Sequence, residues 1–291
     1  MQNKNIVVDN IVLKRSWAAI EWRCIMGKVV AVANQKGGVA KTTTAVNLSA
    51  MLARLGQKVL LVDLDPQGNA TSGLGVERRQ IEHCVYDVLI NGAPVKAVIL
   101  HTPYDGLTFI PSTMQLAGAS VELVPAISRE SRLKRALAET RHNYDFIFID
   151  CPPSLGLLTV NALTAANSVL IPLQCEYYAL EGISQLLSTL ELVRANLNPD
   201  LIIEGVLLTM YDPRTNLSPQ VATEMRQFFR NRVYDVMVHR SVRLSEAPSH
   251  GMPIIYYDPK SKGAQQYALL AGEFLARNGK VPQKMQANGG E

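Results

Sequence analysis

The chain has 291 residues, 47% of them hydrophobic, with a net charge of +4. That is enough apolar material for one large α/β domain or two small ones, and no run approaches the roughly 18 apolar residues of a membrane helix. The four cysteines, Cys24, Cys84, Cys151 and Cys175, include no C-x-x-C pair, which argues against a disulfide framework or a zinc site and for a reducing compartment.

Residues 1–25 differ from the rest. Lys14, Arg15, Glu21 and Arg23 interrupt any signal-peptide core. Leu13, Trp17, Ile20 and Cys24 fit one face of a surface helix, and both tryptophans, Trp17 and Trp22, lie here. Met26 is nevertheless the natural start, so residues 1–25 are read as an extension, disordered or a misassigned start.

From Met26 the pattern alternates strand and helix. Residues 29–33 form a short apolar strand, and Ala45, Leu48, Leu52 and Leu55 then recur at helical spacing. Gly56 stands where a helix C-terminal glycine belongs. Further strands are predicted over 58–64, 146–150, 169–173, 202–210 and 233–238. Helices are marked by Leu180, Ile183, Leu187 and Leu190, by Val221, Met225, Phe228 and Phe229, and by Tyr267, Leu270, Ala271 and Phe274. The expected architecture is a doubly wound, mostly parallel sheet covered on both faces. One domain spans 26–278, and residues 279–291 read as a disordered polar tail.

Between the first strand and helix lies Lys36-Gly37-Gly38-Val39-Ala40-Lys41-Thr42-Thr43, a phosphate-binding loop with one lysine more than the loop needs. The glycines let backbone N–H groups turn inward around a polyphosphate, and the helix start adds its own free N–H groups. Lys41 reaches the β- and γ-phosphates and the Thr42 hydroxyl holds Mg²⁺. Lys36 is not required by that geometry. It is expected to point outward, past its own nucleotide, toward a second subunit's phosphates.

Two more motifs end strands at carboxylates, where ligands of such sheets sit. In Asp63-Leu64-Asp65-Pro66-Gln67-Gly68-Asn69 the two aspartates are expected to share a strand face. One would orient the attacking water and the other help to hold Mg²⁺, although Asp63 could equally cap a turn. Asp150, ending an apolar strand before Cys151-Pro152-Pro153, is the expected Walker B residue. Cys151 is read as a buried small hydrophobe. His83, His101, His142, His239 and His250 show no ligand spacing and receive no role. Residues 214–262 hold eight Lys/Arg against four Asp/Glu. Arg214, Arg240 and Arg243 lie there in turn-rich loops, where arginines contact phosphates or simply stay solvated.

Together KGGVAKTTT, LLVDLDPQGNATSGLG, FIDCPPSLG, QCEYYALEG and SVRLSEAPSHG resemble the Soj/ParA family of chromosome- and plasmid-partitioning ATPases, with a deviant Walker A loop. The resemblance implies an ATP- and Mg²⁺-dependent sandwich homodimer that binds double-stranded DNA without sequence preference. It implies a ParB-type, centromere-bound partner that stimulates hydrolysis, a nucleoid-associated cytoplasmic location and no membrane. Carried across, Lys36 is the signature lysine and Asp65 the hydrolytic aspartate. Gly37, Gly38, Val39, Ala40, Lys41, Thr42, Thr43, Asp150 and Met210 bind nucleotide, with Thr42 and Asp150 at the metal, and Arg214, Arg240 and Arg243 meet DNA. Two residues depart from the family pattern: Ala40 replaces a glycine and is expected to keep ordinary φ/ψ, and His239 replaces a proline near the expected adenine pocket. The rival readings are a MinD-like membrane-cycling ATPase, an iron–sulfur protein and a small-molecule ligase.

Overall fold

The computed structural model describes residues 26–176 and 179–280. The extension 1–25, Tyr177 and Tyr178 of the QCEYYALEG motif, and residues 281–291 lie outside the described residues. Seven strands form one sheet in the order β3-β4-β2-β5-β1-β6-β7. They are β1 (Lys28–Val32), β2 (Val59–Asp63), β3 (Leu100–His101), β4 (Leu107–Ile110), β5 (Phe146–Asp150), β6 (Ser168–Gln174) and β7 (Ile202–Thr209). All neighbours pair in parallel except β3, which runs antiparallel to β4 at the edge.

The strands alternate cleanly between two apolar layers, as a sheet buried on both faces requires. Val30, Val32, Val59, Leu61, Phe146 and Phe148 join one layer with α1 (Lys41–Arg54) and the C-terminal helix Lys262–Arg277. Val29, Ala31, Leu60, Val62, Ile147 and Ile149 join the other. That layer is completed by α3 (Leu116–Glu122), α4 (Arg132–Ala138), α5 (Leu157–Ala165), α6 (Ala179–Asn196) and α7 (Leu217–Phe229). The short helices α2 (Asn69–Gly73) and α8 (Val242–Glu246) lie near the carboxyl ends of the strands, and Lys262–Arg277 is α9.

Helix α1 ends as its glycine suggests. Gly56 takes φ +85°, its N–H donates to Ala53 O (2.9 Å), and the Gln57 N–H donates to Leu52 O (3.0 Å), which is a Schellman closure. Residues 233–238 are not a strand. They touch β7 only at intervals, through Tyr234 N–H to Val206 O (2.9 Å) and Val238 N–H to Leu208 O (2.9 Å). The intervening N–H groups of Asp235 and Val236 donate instead to the Glu273 carboxylate of α9, at 2.9 and 3.1 Å. Lys280, counted with the tail from composition, is tied to the fold by its ammonium, 2.5 Å from Asp145.

Candidate nucleotide site

The parallel order brings the carboxyl ends of β2, β5, β1 and β6 side by side, and the sequence motifs meet there. Asp63 and Asp150 are register partners across β2 and β5, and Val32, just before the glycine loop, is the partner of Asp150 across β1. The loop is braced at four points. Asn34 Nδ2 donates to Pro172 O of β6 (2.8 Å), and Asn34 Oδ1 accepts the Lys36 N–H (3.0 Å). Thr209 Oγ1 donates to Val39 O (3.2 Å), and Lys41 Nζ closes the loop on Lys36 O (2.9 Å). Gly37 and Gly38 are exposed with no atom within 4 Å of where a Cβ would stand, so their backbone is open to approach. Ala40 contradicts the expectation of ordinary dihedrals: it sits in the left-handed region (φ 64°, ψ 34°) at the start of α1. The turn into the helix dictates that conformation, and here a methyl-bearing residue has to adopt it.

The two aspartates after β2 do not share a strand face, because β2 stops at Asp63 and Asp65 lies in the following turn. Asp63 is fully buried and spent on local structure. Its Oδ1 accepts the Asp65 N–H (3.1 Å), and its Oδ2 accepts both the Thr71 N–H (2.9 Å) and the Thr71 hydroxyl (2.7 Å). Burial pushes the Asp63 carboxyl up to about 6, against the pull of those donors. Asp65, 7% exposed, accepts only the Gln67 N–H (2.9 Å) among the described bonds to its carboxylate. The turn-capping role therefore falls to Asp63, and Asp65 is the carboxylate left near Lys41 and Asp150.

Asp150 is the clearest chemical signal. Among the described residues neither carboxylate oxygen is held in a well-formed hydrogen bond, both are buried, and only the Thr42 hydroxyl lies close enough to act on them. Burial, then the adjacent Asp63, drive its carboxyl well above the ordinary range, while the Thr42 hydroxyl pulls the other way. An orphaned buried carboxylate beside a threonine hydroxyl at the start of α1 suits a hydrated divalent cation, which takes few protein ligands. Among the described residues no cluster of three His, Cys, Asp or Glu side chains offers an all-protein metal site. Burial lowers the pKa of Lys41, with Asp150 the largest of the charges opposing it. Cys151 is buried and its thiol is pushed up by desolvation, in keeping with a core residue.

A cavity of about 340 Å³ opens from Ala40 and Thr43 between Met210, His239, Leu244 and Pro248. Met210, like Ala40, has a positive φ (50°). Burial and the nearby Lys262 lower the His239 pKa, which keeps the ring neutral near pH 7. Lys36 points away from its own loop, and its ammonium pairs with Glu176 beyond β6.

Arg214 and Arg243 are not among the residues lining this cavity, whereas Arg240, beside His239, is. Arg214 is exposed in the turn after β7 and clasps Asp212 through Nε (2.9 Å) and Nη2 (2.7 Å). Arg240 is exposed near the same Asp212. Arg243, in α8, bonds Glu246 (3.0 Å) and lies 3.5 Å from Asp258. Sequence reasoning missed Asn34, Thr71, Glu176 and Asn47. Glu176 and Thr71 stood inside quoted motifs, whereas Asn34 and Asn47 are single buried polar residues that each have a partner remote in sequence, Pro172 for one and Ile254 for the other.

This fold and this loop define a P-loop nucleotide-binding protein, and a model of the AAA domain matches residues 27–203. The sporulation initiation inhibitor protein Soj of Bacillus subtilis is 64% identical over 87% of this chain and 100% of its own length. The chromosome partitioning protein ParA of Myxococcus xanthus is 53% identical, covering 91% of this chain and 92% of its own. A crystal structure named as cobyrinic acid a,c-diamide synthase from Mycobacterium smegmatis, with bound ADP and magnesium, superposes with a TM-score of 0.75 at 42% identity. It covers 84% of this chain and 93% of that one. The chain belongs to the Soj/ParA family of chromosome-partitioning ATPases.

Proposed function

We propose that the chain is a DNA-partitioning ATPase that works as an ATP-closed sandwich dimer. The dimer binds double-stranded DNA without sequence preference, in the cytoplasm on the nucleoid. Hydrolysis, weak alone and stimulated by a ParB-type centromere-binding partner, releases it and drives chromosome or plasmid segregation. The observation that carries this reading is the division of labour between the two lysines. Lys41 is buried within the field of Asp150 and closes its own loop, whereas Lys36 is exposed and paired with Glu176, outside the loop.

In this reading the backbone of Gly37, Gly38, Val39 and Ala40, with Lys41 and Thr43, holds the nucleotide phosphates. The cavity at Met210 and His239 takes the base. Thr42 and Asp150 would hold Mg²⁺, which neutralises charge on the β- and γ-phosphate oxygens when bound. Asp65 orients the attacking water, and Lys36 leaves Glu176 to stabilise charge on the partner's phosphates. Arg214, Arg240 and Arg243 meet the DNA backbone.

Sedimentation with ADP, with ATP and with DNA tests the whole scheme. Wild type is expected to dimerise with ATP and to co-sediment with DNA only then. Lys36→Ala is expected to bind ATP as a monomer, and Asp65→Ala to accumulate as a long-lived DNA-bound dimer. An ATP dimer of Lys36→Ala would remove the trans role. A second reading, a small-molecule ligase, is favoured by the name of the 42% identical structure. ATP turnover that requires added cobyrinic acid and ignores DNA would support it over partition.

A further inference from the structure

The segment carrying Arg243 is joined to the phosphate site by its backbone. Helix α8 runs directly into a turn over Ala247–His250. The turn closes through Gly251 N–H to Pro248 O (3.1 Å) and Met252 N–H to Ala247 O (3.3 Å). Gly251 (φ +63°) lies against Gly75 (φ +78°), which follows α2. A Cβ on Gly251 would stand 2.5 Å from Gly75 Cα and 2.9 Å from Gly75 N, and one on Gly75 would stand 3.1 Å from Gly251 O. No side chain fits at this crossing, so the two backbones meet directly. The glycines are the last residues of LLVDLDPQGNATSGLG and SVRLSEAPSHG, the first bearing Asp65 and the second Arg243.

Upstream of Gly75 the chain is cross-braced. Gly68 N–H donates to Asp65 O (2.8 Å), and Arg78 clamps Gly68 O (2.9 Å) and Ser72 Oγ (3.0 Å). Thr71 is anchored to Asp63 and accepts the Ser112 N–H (3.0 Å). These bonds tie the Asp65 turn to α2 and so to Gly75. The far end of the arginine segment is pinned to α1: Ile254 N–H donates to Asn47 Oδ1 (2.6 Å), and Asn47 Nδ2 to Thr43 O (2.7 Å). Between α1, α2 and the turn lies a cavity of about 300 Å³, lined by Val46, Asn47, Ser72, Pro248 and Met252. It leaves the turn room to shift.

We propose that the Gly75–Gly251 crossing is the joint through which the Asp65 loop sets the position of α8 and Arg243. Gly75 and Gly251 are then positioning residues for DNA binding, and the nucleotide state is read out by backbone contact. This rests on the reading of Arg243 as a DNA contact.

The test uses the full chain. Gly75→Ala and Gly251→Ala are expected to keep affinity for ADP and for a non-hydrolysable ATP analogue, and dimerisation, within about 3-fold, while DNA affinity of the dimer falls about 10-fold or more. Unchanged DNA affinity in both variants overturns the proposal. Should either variant fail to fold, hydrogen exchange on wild type decides. Amides of 242–254 are expected to change protection between ADP and the ATP analogue, and identical protection in the two states overturns the joint. A wild type that exchanges in this way but binds no DNA would sink the DNA reading and leave the joint standing.

Discussion

The molecule carries two groups of functional charge, and they are built in opposite ways. At the strand ends Asp63, Asp65, Asp150 and Lys41 are all buried, and the Asp150 carboxylate is left without a counter-charge of its own, with only the adjacent Thr42 hydroxyl favouring its ionised form among the hydrogen-bonding groups near it. In the 212–258 region Arg214 and Arg243 are exposed, and each already holds a carboxylate, Asp212 for one and Glu246 with Asp258 for the other. A buried charge without a partner is costly, so the first group is poised for a ligand that supplies the missing counter-charge. An exposed ion pair is held weakly and is screened by salt, so the second group would give up its carboxylates at little cost to a phosphate. The first arrangement suits tight binding of one small polyanion together with a divalent cation that meets the carboxylates; the second would suit reversible binding along a long polyanion.

The largest effect is expected where that contrast is broken from the buried side. Lys41→Ala removes the cation closest to Asp150 and opens the loop at Lys36 O. Truncating one side of a buried charged contact between protein and ligand costs about 2–5 kcal/mol of binding, so nucleotide affinity should fall at least about 30-fold. Titration calorimetry with ADP and Mg²⁺ measures it, and near-normal affinity would mean that Lys41 serves the empty loop rather than the phosphates.

On the exposed side, reversing one arginine should leave the nucleotide site untouched. Arg243→Glu or Arg214→Glu is expected to weaken DNA binding about 10-fold or more. With one position lost from each subunit, the slope of log affinity against log salt should fall by about 2 for a dimer. Fluorescence anisotropy over a salt series reads both. An unaltered slope would place the DNA surface elsewhere, with the Arg129–Arg135 cluster next; there Arg132 and Arg135 already donate to backbone carbonyls.

Within the buried group Asp63 and Asp150 are separable by pH. Asp63 titrates in the fold at about 6 against an ordinary 3.8. Between those values the native state binds more protons than the unfolded chain, so stability falls as pH rises through this window and levels off above it. The difference amounts to about 3 kcal/mol at most. Denaturant melts of the nucleotide-free protein at pH 4 to 7 should show this slope, and Asp63→Asn should make it shallower, the remainder belonging to Asp150, whose carboxyl is raised as well. An unflattened slope would assign the proton to Asp150.

Much of this was legible in the chain. Strands β1, β2, β5, β6 and β7 are apolar runs, and parallel strands buried on both faces produce such runs. The convergence of Lys41, Asp65 and Asp150 followed from placing each motif at a strand end. Region 69–145 was silent because its elements are short: β4 is four residues and β3 two, too few for a period to emerge. Residues 233–238 have a strand's composition, but Glu273, remote in sequence, claims two of their N–H groups. The pairing of Lys36 with Glu176 and the meeting of Gly75 with Gly251 depend on which loops the sheet order brings together, and local pattern does not encode that.

The smallest effect concerns Ala40, where the sequence reading of the loop failed. A non-glycine residue in the left-handed region costs about 1 kcal/mol, and Ala40 is held there at φ 64°. Ala40→Gly removes that cost but gives the unfolded chain more freedom, an offset of about 0.4–1 kcal/mol. The net gain is a few tenths of a kcal/mol, and the melting temperature should rise by about 1 °C. The backbone contacts of the loop do not involve the methyl group: Ala40 O accepts the Thr44 N–H (2.9 Å) whichever residue is present. Affinity for ADP should therefore stay within about 2-fold, since an already formed loop gains nothing in preorganisation. A clear fall in melting temperature would show that the methyl packs usefully against the cavity it lines with Thr43 and Met210. In that case alanine here would help to shape the base pocket, beyond merely being tolerated in the turn.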